Sequence, residues 1–263
     1  MPPDILSQWQ ELISRPYGMV LVTGPTGSGK TTTLYATLAA LNRPDRKLIT
    51  VEDPVEYQLP GVNQVHVKPA IGLTFAAGLR AMLRQAPDVI MVGEIRDAET
   101  AQIAIQAALT GHLVFSTLHT NDAPSALTRL IDMGVAPFIV ASTVQGALAQ
   151  RLLRRLCRTC IARRPPTAEE LAFLGPPPPS EIADAHGCEA CHGSGYAGRV
   201  AAYELLRMTD ALQQLVVRKE QAGRLRQLAI REGMRTLRED GRQKLRAGIT
   251  TMTEVVRVAP EID

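Results

Sequence analysis

Short apolar runs alternate with segments of helical spacing through the first half of the chain. Residues 19–23, 48–52, 89–93 and 113–118 are apolar runs bounded by charged and turn residues, and between them lie 31–41, 74–85 and 98–109, with the composition and length of helices. Strands that are apolar at every position are buried on both faces, and helices of about a dozen residues supply the crossovers that parallel pairing needs. The pattern predicts an α/β fold with a doubly wound, mainly parallel sheet. Further on, residues 209–247 alternate charge with Leu and Val at helical spacing, which predicts several short helices broken near Gly223, Gly233 and Gly248. Asp240, Arg238 and Arg242 in that region read as solvated. The uncharged stretch 133–150 is about as long as a membrane span, but it carries Pro137, Gly146 and two glutamines and reads as a buried helix.

A length of 263 residues leaves room for one large domain or two smaller ones, and 45% hydrophobic residues suffice for a substantial core. Aromatic residues make up only 4%, with Trp9 the single tryptophan, so stacking platforms for single-stranded nucleic acid are scarce and no nucleic-acid partner is expected. The net charge of +3 does not by itself call for a polyanion. A local basic cluster (Arg151, Arg154, Arg155, Arg158, Arg163 and Arg164) reads as a solvated helix face, with acidic lipid or a protein partner as the alternative. Residues 1–10 lack a signal-peptide pattern, so the chain is expected to be cytoplasmic.

Residues 24–31 complete the phosphate-loop pattern G-x-x-x-x-G-K-[ST], directly after one strand and before one helix. Gly24, Gly27 and Gly29 let the backbone turn its N–H groups inward onto phosphate, with Pro25, Thr26 and Ser28 between them, and the following helix aims its positive end there. Lys30 then reaches the β and γ phosphates, Thr31 offers a hydroxyl to Mg²⁺, and Thr32 continues the helix start. In a doubly wound sheet, motifs after the other strands converge on the same crevice. Glu52, Asp53 and Glu56 follow the second strand, where a carboxylate can orient water or hold Mg²⁺. Glu94 ends the third strand in the manner of a Walker B acid, and Asp97 suits a helix N-cap. His119 follows the fourth strand among hydroxyl and amide residues and reads as a phosphate sensor, whereas His112 reads as structural. Arg80 and Arg84 stand one helical turn apart, placed either to clamp phosphate within a subunit or across an interface, or to make surface salt bridges.

Cys157 and Cys160, with Cys188 and Cys191, form two C-x-x-C pairs separated by 27 residues. Four thiolates close a tetrahedral Zn²⁺ site with no open position, which implies a structural role; a redox role is the alternative. Pro165, Pro166 and the run 176–179 rule out a continuous helix between the pairs.

The ordered set of motifs resembles the secretion ATPases, the motors of type II secretion and type IV pilus assembly: residues 24–35 (phosphate loop), 51–56 (Asp box), 72–80 (arginine segment), 92–97 (Walker B) and 116–121 (His box). The likeness extends to the four cysteines and to residues 193–199. It implies a RecA-like P-loop core at 1–156, a tetracysteine zinc insertion at 157–195 and a helical subdomain at 196–263. It also implies a homo-hexamer that hydrolyses ATP, attached peripherally to the inner membrane through platform and linker proteins. Carried over by motif, Lys30 and Thr31 bind phosphate and Mg²⁺, Glu94 is the Walker B acid, Glu56 the acid nearest the attacking water, Arg80 and Arg84 phosphate-directed arginines, and His119 the sensor. The cysteine insertion favours the assembly direction over pilus retraction, and residues 193–196 favour type II secretion over pilus extension. Ala86 departs from the acid often found there. The family's amino-terminal domains are lacking, so a truncated or shortened form with weak isolated activity is expected, and a non-hydrolysing regulatory subunit is the alternative.

Overall fold

The structure is a computed structural model and describes residues 1–259. In chain order the elements of the first part are α1 (Pro3–Ile13), β1 (Gly18–Thr23), α2 (Lys30–Leu41), β2 (Leu48–Glu52), β3 (Asn63–His66), α3 (Phe75–Leu83), β4 (Val89–Val92), α4 (Ala98–Leu109), β5 (Leu113–Leu118), α5 (Ala123–Asp132), α6 (Pro137–Thr143) and β6 (Val144–Leu156). They continue as β7 (Ile161–Arg164), α7 (Ala168–Leu174), β8 (Ile182–Ala185), β9 (Tyr196–Arg207), α8 (Asp210–Val217), α9 (Ala222–Arg231), α10 (Leu237–Arg246) and α11 (Met252–Val258). Two compact units result: residues 1–149 with 205–234, and residues 150–204 with the chain from Arg235 on. They cut across the consecutive boundaries read from the sequence at 156 and 195, because β6 and β9 each run from one unit into the other.

In the first unit the sheet order is β3-β2-β4-β5-β1-β6-β9. The pairs β1 with β5, β1 with β6, β2 with β3, β2 with β4 and β4 with β5 are all parallel. Every residue of β1, β2, β4 and β5 is buried, so both faces of the central sheet are covered, as the uninterrupted apolar runs require. α1 lays Ile5, Trp9, Leu12 and Ile13 inward, and the Trp9 indole N–H donates to Thr37 Oγ1 on α2 (3.1 Å).

The stretch 133–150 is not one helix: α6 ends at Thr143 and the chain continues as β6, which pairs with β1 from Met19 to Thr23. Packing decides this, since a Cβ on Gly146 would stand 2.7 Å from Leu206 O and 2.9 Å from Leu12 Cδ1, so the backbone itself fills the gap. Among the short helices, Lys219 (φ 57°) rather than Gly223 marks the first break, and Gly223 lies in the first turn of α9.

In the second unit β7 and β8 pair antiparallel as a two-stranded sheet, with α7 in the connection between them. The basic cluster lies on strands β6 and β7, with Arg158 in the turn between them, instead of on a helix: Arg154 sits on β6, where its backbone N–H and Nε donate to Glu254, and stacks over Tyr196, while Arg164 on β7 pairs with Glu170 and Asp184. Asp240 is fully buried, against expectation. It accepts from the Tyr203 backbone N–H (2.8 Å) and from Arg235 (3.3 Å) and pairs with Lys244, so its charge is caged inside the unit. Arg238 and Arg242 lie against the Phe173 ring.

Candidate functional site

The carboxyl ends of β1, β2, β4 and β5 carry the motifs. After Thr23 the backbone turns through Gly24 (φ 147°), Gly27 (φ 76°) and Gly29 (φ 89°), and Gly29 is the left-handed N-cap of α2. Without a side-chain cap the first N–H groups of α2 face the loop, which is the arrangement an anion needs. Pro25, Thr26 and Gly27 are exposed, Lys30 and Thr31 are half-buried and Thr32 is exposed. The Lys30 ammonium donates to Gly24 O (2.8 Å) and Pro25 O (3.1 Å), so it folds back over the loop it belongs to. Ser28 Oγ is buried without a hydrogen-bond partner among the described residues. A turn of this shape fits a phosphate chain.

Glu94 stands just past β4, its side chain only 12% exposed, and brings together two basic side chains: Arg96 Nη2 at 2.5 Å and His119 Nε2 at 3.3 Å. The proximity of Glu94 holds the Arg96 guanidinium more firmly protonated than usual. Three bonds fix this corner: Ile95 N–H to Thr117 O (3.0 Å), Thr117 Oγ1 to Gly93 O (2.7 Å) and Ser116 Oγ to Val92 O (2.9 Å). Thr23 ties the end of β1 to the same loop, its hydroxyl donating to Leu118 O (3.1 Å) and accepting from Thr120 N–H (2.9 Å). Thr23 and Arg96 were not singled out from the sequence, where one lies at the end of a strand run and the other inside the 92–97 motif without a role of its own.

Glu52, the last residue of β2, turns inward. It is 3% exposed and accepts from Thr50 Oγ1 (2.5 Å), Gln64 Nε2 (3.1 Å) and the Tyr35 phenol on α2. Burial, and then donation to Glu52, push the Tyr35 phenol well above its ordinary range, so it stays a donor. Glu56 is exposed, and its backbone N–H donates to Tyr35 Oη (3.3 Å). Asp97 caps α4 through Thr100 N–H (2.7 Å), as read from the sequence, and His112 bonds Ala107 O (2.9 Å) in a structural role. Arg80 pairs with Glu99 at 2.5 Å with both side chains more than half exposed, and Arg84 Nη1 donates to Arg80 O (3.2 Å), so the polar contacts of these arginines lie on α3 and α4 and not at Glu94.

The second unit gathers the four cysteines. Their sulfurs lie within 4.8 Å of one another, with Cys157 to Cys188 at 4.0 Å, Cys160 to Cys191 at 3.7 Å and Cys188 to Cys191 at 3.8 Å. A tetrahedron with Zn–S bonds of about 2.3 Å has edges of about 3.8 Å, so the sulfur set is compatible with zinc. Burial works to raise the Cys191 thiol, but the N–H groups of Cys188 and Gly195, each 3.2 Å from its sulfur, outweigh it and bring the thiol down to about 6. Burial pushes Cys160 up to about 12. A Cβ on Gly187 would stand 2.6 Å from Gly193 O, so the two loop segments flanking this pair of cysteines pass each other only without a side chain there.

Residues 1–257 match the family described as "Type II/IV secretion system protein". The chain is 51% identical over 257 residues to the Type II secretion system ATPase E of Vibrio cholerae serotype O1, covering 96% of this chain and 50% of that protein. It is equally 51% identical over 259 residues to the Type IV pilus assembly ATPase PilB of Thermus thermophilus, covering 97% of this chain and 29% of that one. The chain thus spans half the length of these curated relatives or less. Among solved structures, the pilus retraction motor PilT with bound ADP superposes with a TM-score of 0.74 at 32% identity, over 99% of this chain and 65% of that one. No helix of the described residues is long and apolar enough to cross a membrane.

Proposed function

Since the chain belongs to the type II/IV secretion system protein family, we propose that it is the ATP-hydrolysing part of a motor that drives pseudopilus assembly and protein export in type II secretion. The observation that carries the reading is the convergence of the phosphate loop with the Glu94, Arg96 and His119 cluster at the ends of adjacent parallel strands. Residues 24–32 cradle the triphosphate, and Lys30 trades its two loop carbonyls for phosphate oxygens. Glu94, with Glu56 beside the attacking water, orients it and takes up its proton. His119 reports the γ-phosphate through its contact with Glu94, and Arg80 and Arg84 answer phosphate charge when subunits assemble. Mg²⁺ held at Thr31 would neutralise the developing charge on the phosphates. Zn²⁺ held by Cys157, Cys160, Cys188 and Cys191 would tie the chain of the second unit together. A homo-hexamer at the cytoplasmic face of the inner membrane, joined to platform and linker proteins, is the working assembly.

Type IV pilus extension is the second reading, favoured by an identity to the Thermus pilus ATPase equal to that shown toward the Vibrio protein. Phosphate release by concentrated protein tests the enzymatic claim shared by both. Wild-type protein is expected to release phosphate slowly; Lys30→Ala loses nucleotide binding, whereas Glu94→Gln keeps binding and loses turnover by about 100-fold or more. Binding without turnover in the wild type would instead mark a nucleotide-gated regulatory subunit.

A further inference from the structure

The Tyr35 phenol on α2 is the meeting point of three groups, from β2, from β3 and from the loop between them. It lies on α2 four residues after Thr31, on the same helix face, and is 1% exposed. Its O–H donates to Glu52 at the end of β2, and its oxygen accepts from Glu56 N–H (3.3 Å) and from Gln64 Nε2 on β3 (3.3 Å). Gln64 in turn donates to Tyr57 O (3.2 Å) and accepts from Leu59 N–H (2.6 Å), and the Tyr57 ring meets Tyr35 edge-on with centroids 4.6 Å apart. The segment that leaves β2 is therefore pinned at Glu56, Tyr57 and Leu59, while the Glu56 side chain remains exposed.

A phenylalanine would fill the same space, so packing alone does not call for the hydroxyl. What the oxygen adds is a fixed position: a buried polar group with every bond made specifies one arrangement where apolar packing tolerates several. We propose that Tyr35 is a positioning residue of the hydrolytic site, its hydroxyl holding the Glu56 loop in register with the helix that opens at the phosphate loop. The inference rests on the role given above to Glu56, and it makes the reach of that carboxylate depend on α2.

Two measurements on the 263-residue chain test it. Hydrogen exchange at the Glu56 and Tyr57 amides, with and without a nonhydrolysable ATP analogue, should show protection in the wild type and a loss of about tenfold or more in Tyr35→Phe; unchanged protection overturns the proposal. In phosphate release, Tyr35→Phe should lower kcat about tenfold with KM within about twofold, and adding Glu56→Gln should lower it little further, because both changes disable the same group. Additive losses overturn it. Thr37→Val, which removes the Trp9 bond from the same helix, is the control for plain destabilisation and should leave exchange at residue 56 unchanged. If Tyr35→Phe does not fold, Gln64→Leu severs the network from β3 and should loosen residues 56–59; failure to do so also overturns it. The parent reading fails differently: Glu56→Gln then turns over like the wild type while Tyr35→Phe still frees the Glu56 amide.

Discussion

At the scale of single residues, Gly93 shows how little room the candidate site leaves. A Cβ there would stand 3.2 Å from Val51 O and 3.4 Å from Glu52 Cα, both main-chain atoms of the neighbouring strand end, and the next residue is Glu94. Gly93→Ala must push β4 away from β2, at a cost of about 1–3 kcal/mol. Urea denaturation should show that loss, and turnover should fall by more than nucleotide affinity because the carboxylate moves and the phosphate loop does not. The phosphate loop was legible in the sequence because its glycines, lysine and hydroxyl are needed at fixed spacing whatever surrounds them. Glu52, Tyr35 and Asp240 were not. A carboxylate in an acidic run reads as solvent-facing, and only the fold supplies the three neutral donors that let Glu52 turn inward or the cationic cage that buries Asp240. Sequence gives the charge of such a residue, while some of its partners come from far along the chain, as with Gln64 for Glu52, 12 positions away, and Tyr203 for Asp240, 37 positions away.

Among the elements, the four central strands were predictable because strands buried on both faces leave an unbroken apolar signature. The β6 strand was not, since an apolar run of that length suits a buried helix equally well, and the deciding fact, the Leu206 carbonyl against Gly146, is tertiary. α1 was missed although Ile5, Trp9, Leu12 and Ile13 are spaced for one helical face. Caps belong to this scale too. Asp97 holds the start of α4 through one bond to Thr100 N–H (2.7 Å), so Asp97→Ala should cost about 1 kcal/mol and lower the melting temperature by a few degrees. Turnover per folded molecule should hardly change, since Asp97 points its bond into the helix.

For the molecule as a whole, acid stability follows from a buried carboxylate. Burial tends to raise Glu254, but donation from Arg257 and Arg154 wins and holds it near 2, below the ordinary 4.5. A carboxyl depressed in the folded state stabilises at pH above about 4.5, and that contribution, on the order of 2–3 kcal/mol, drains away as pH falls toward 2. Glu254→Gln should therefore flatten the fall in stability between pH 5 and pH 2 seen in denaturation curves, while lowering stability at neutral pH. The sulfur cluster carries a companion expectation: native mass spectrometry should find about one zinc per chain, and a strong chelator should lower the melting temperature in the wild type but leave Cys157→Ser unchanged.

The chain leaves for its longest excursion and comes back at one spot, because Cys157 N–H bonds Gly195 O at 2.9 Å and each early cysteine faces a late one. That geometry works like a clasp on a pouch. A backbone cut in the proline run at 176–179 would therefore leave both pieces joined, by the clasp and by the neighbouring strands β6 and β9, one on each side of the cut.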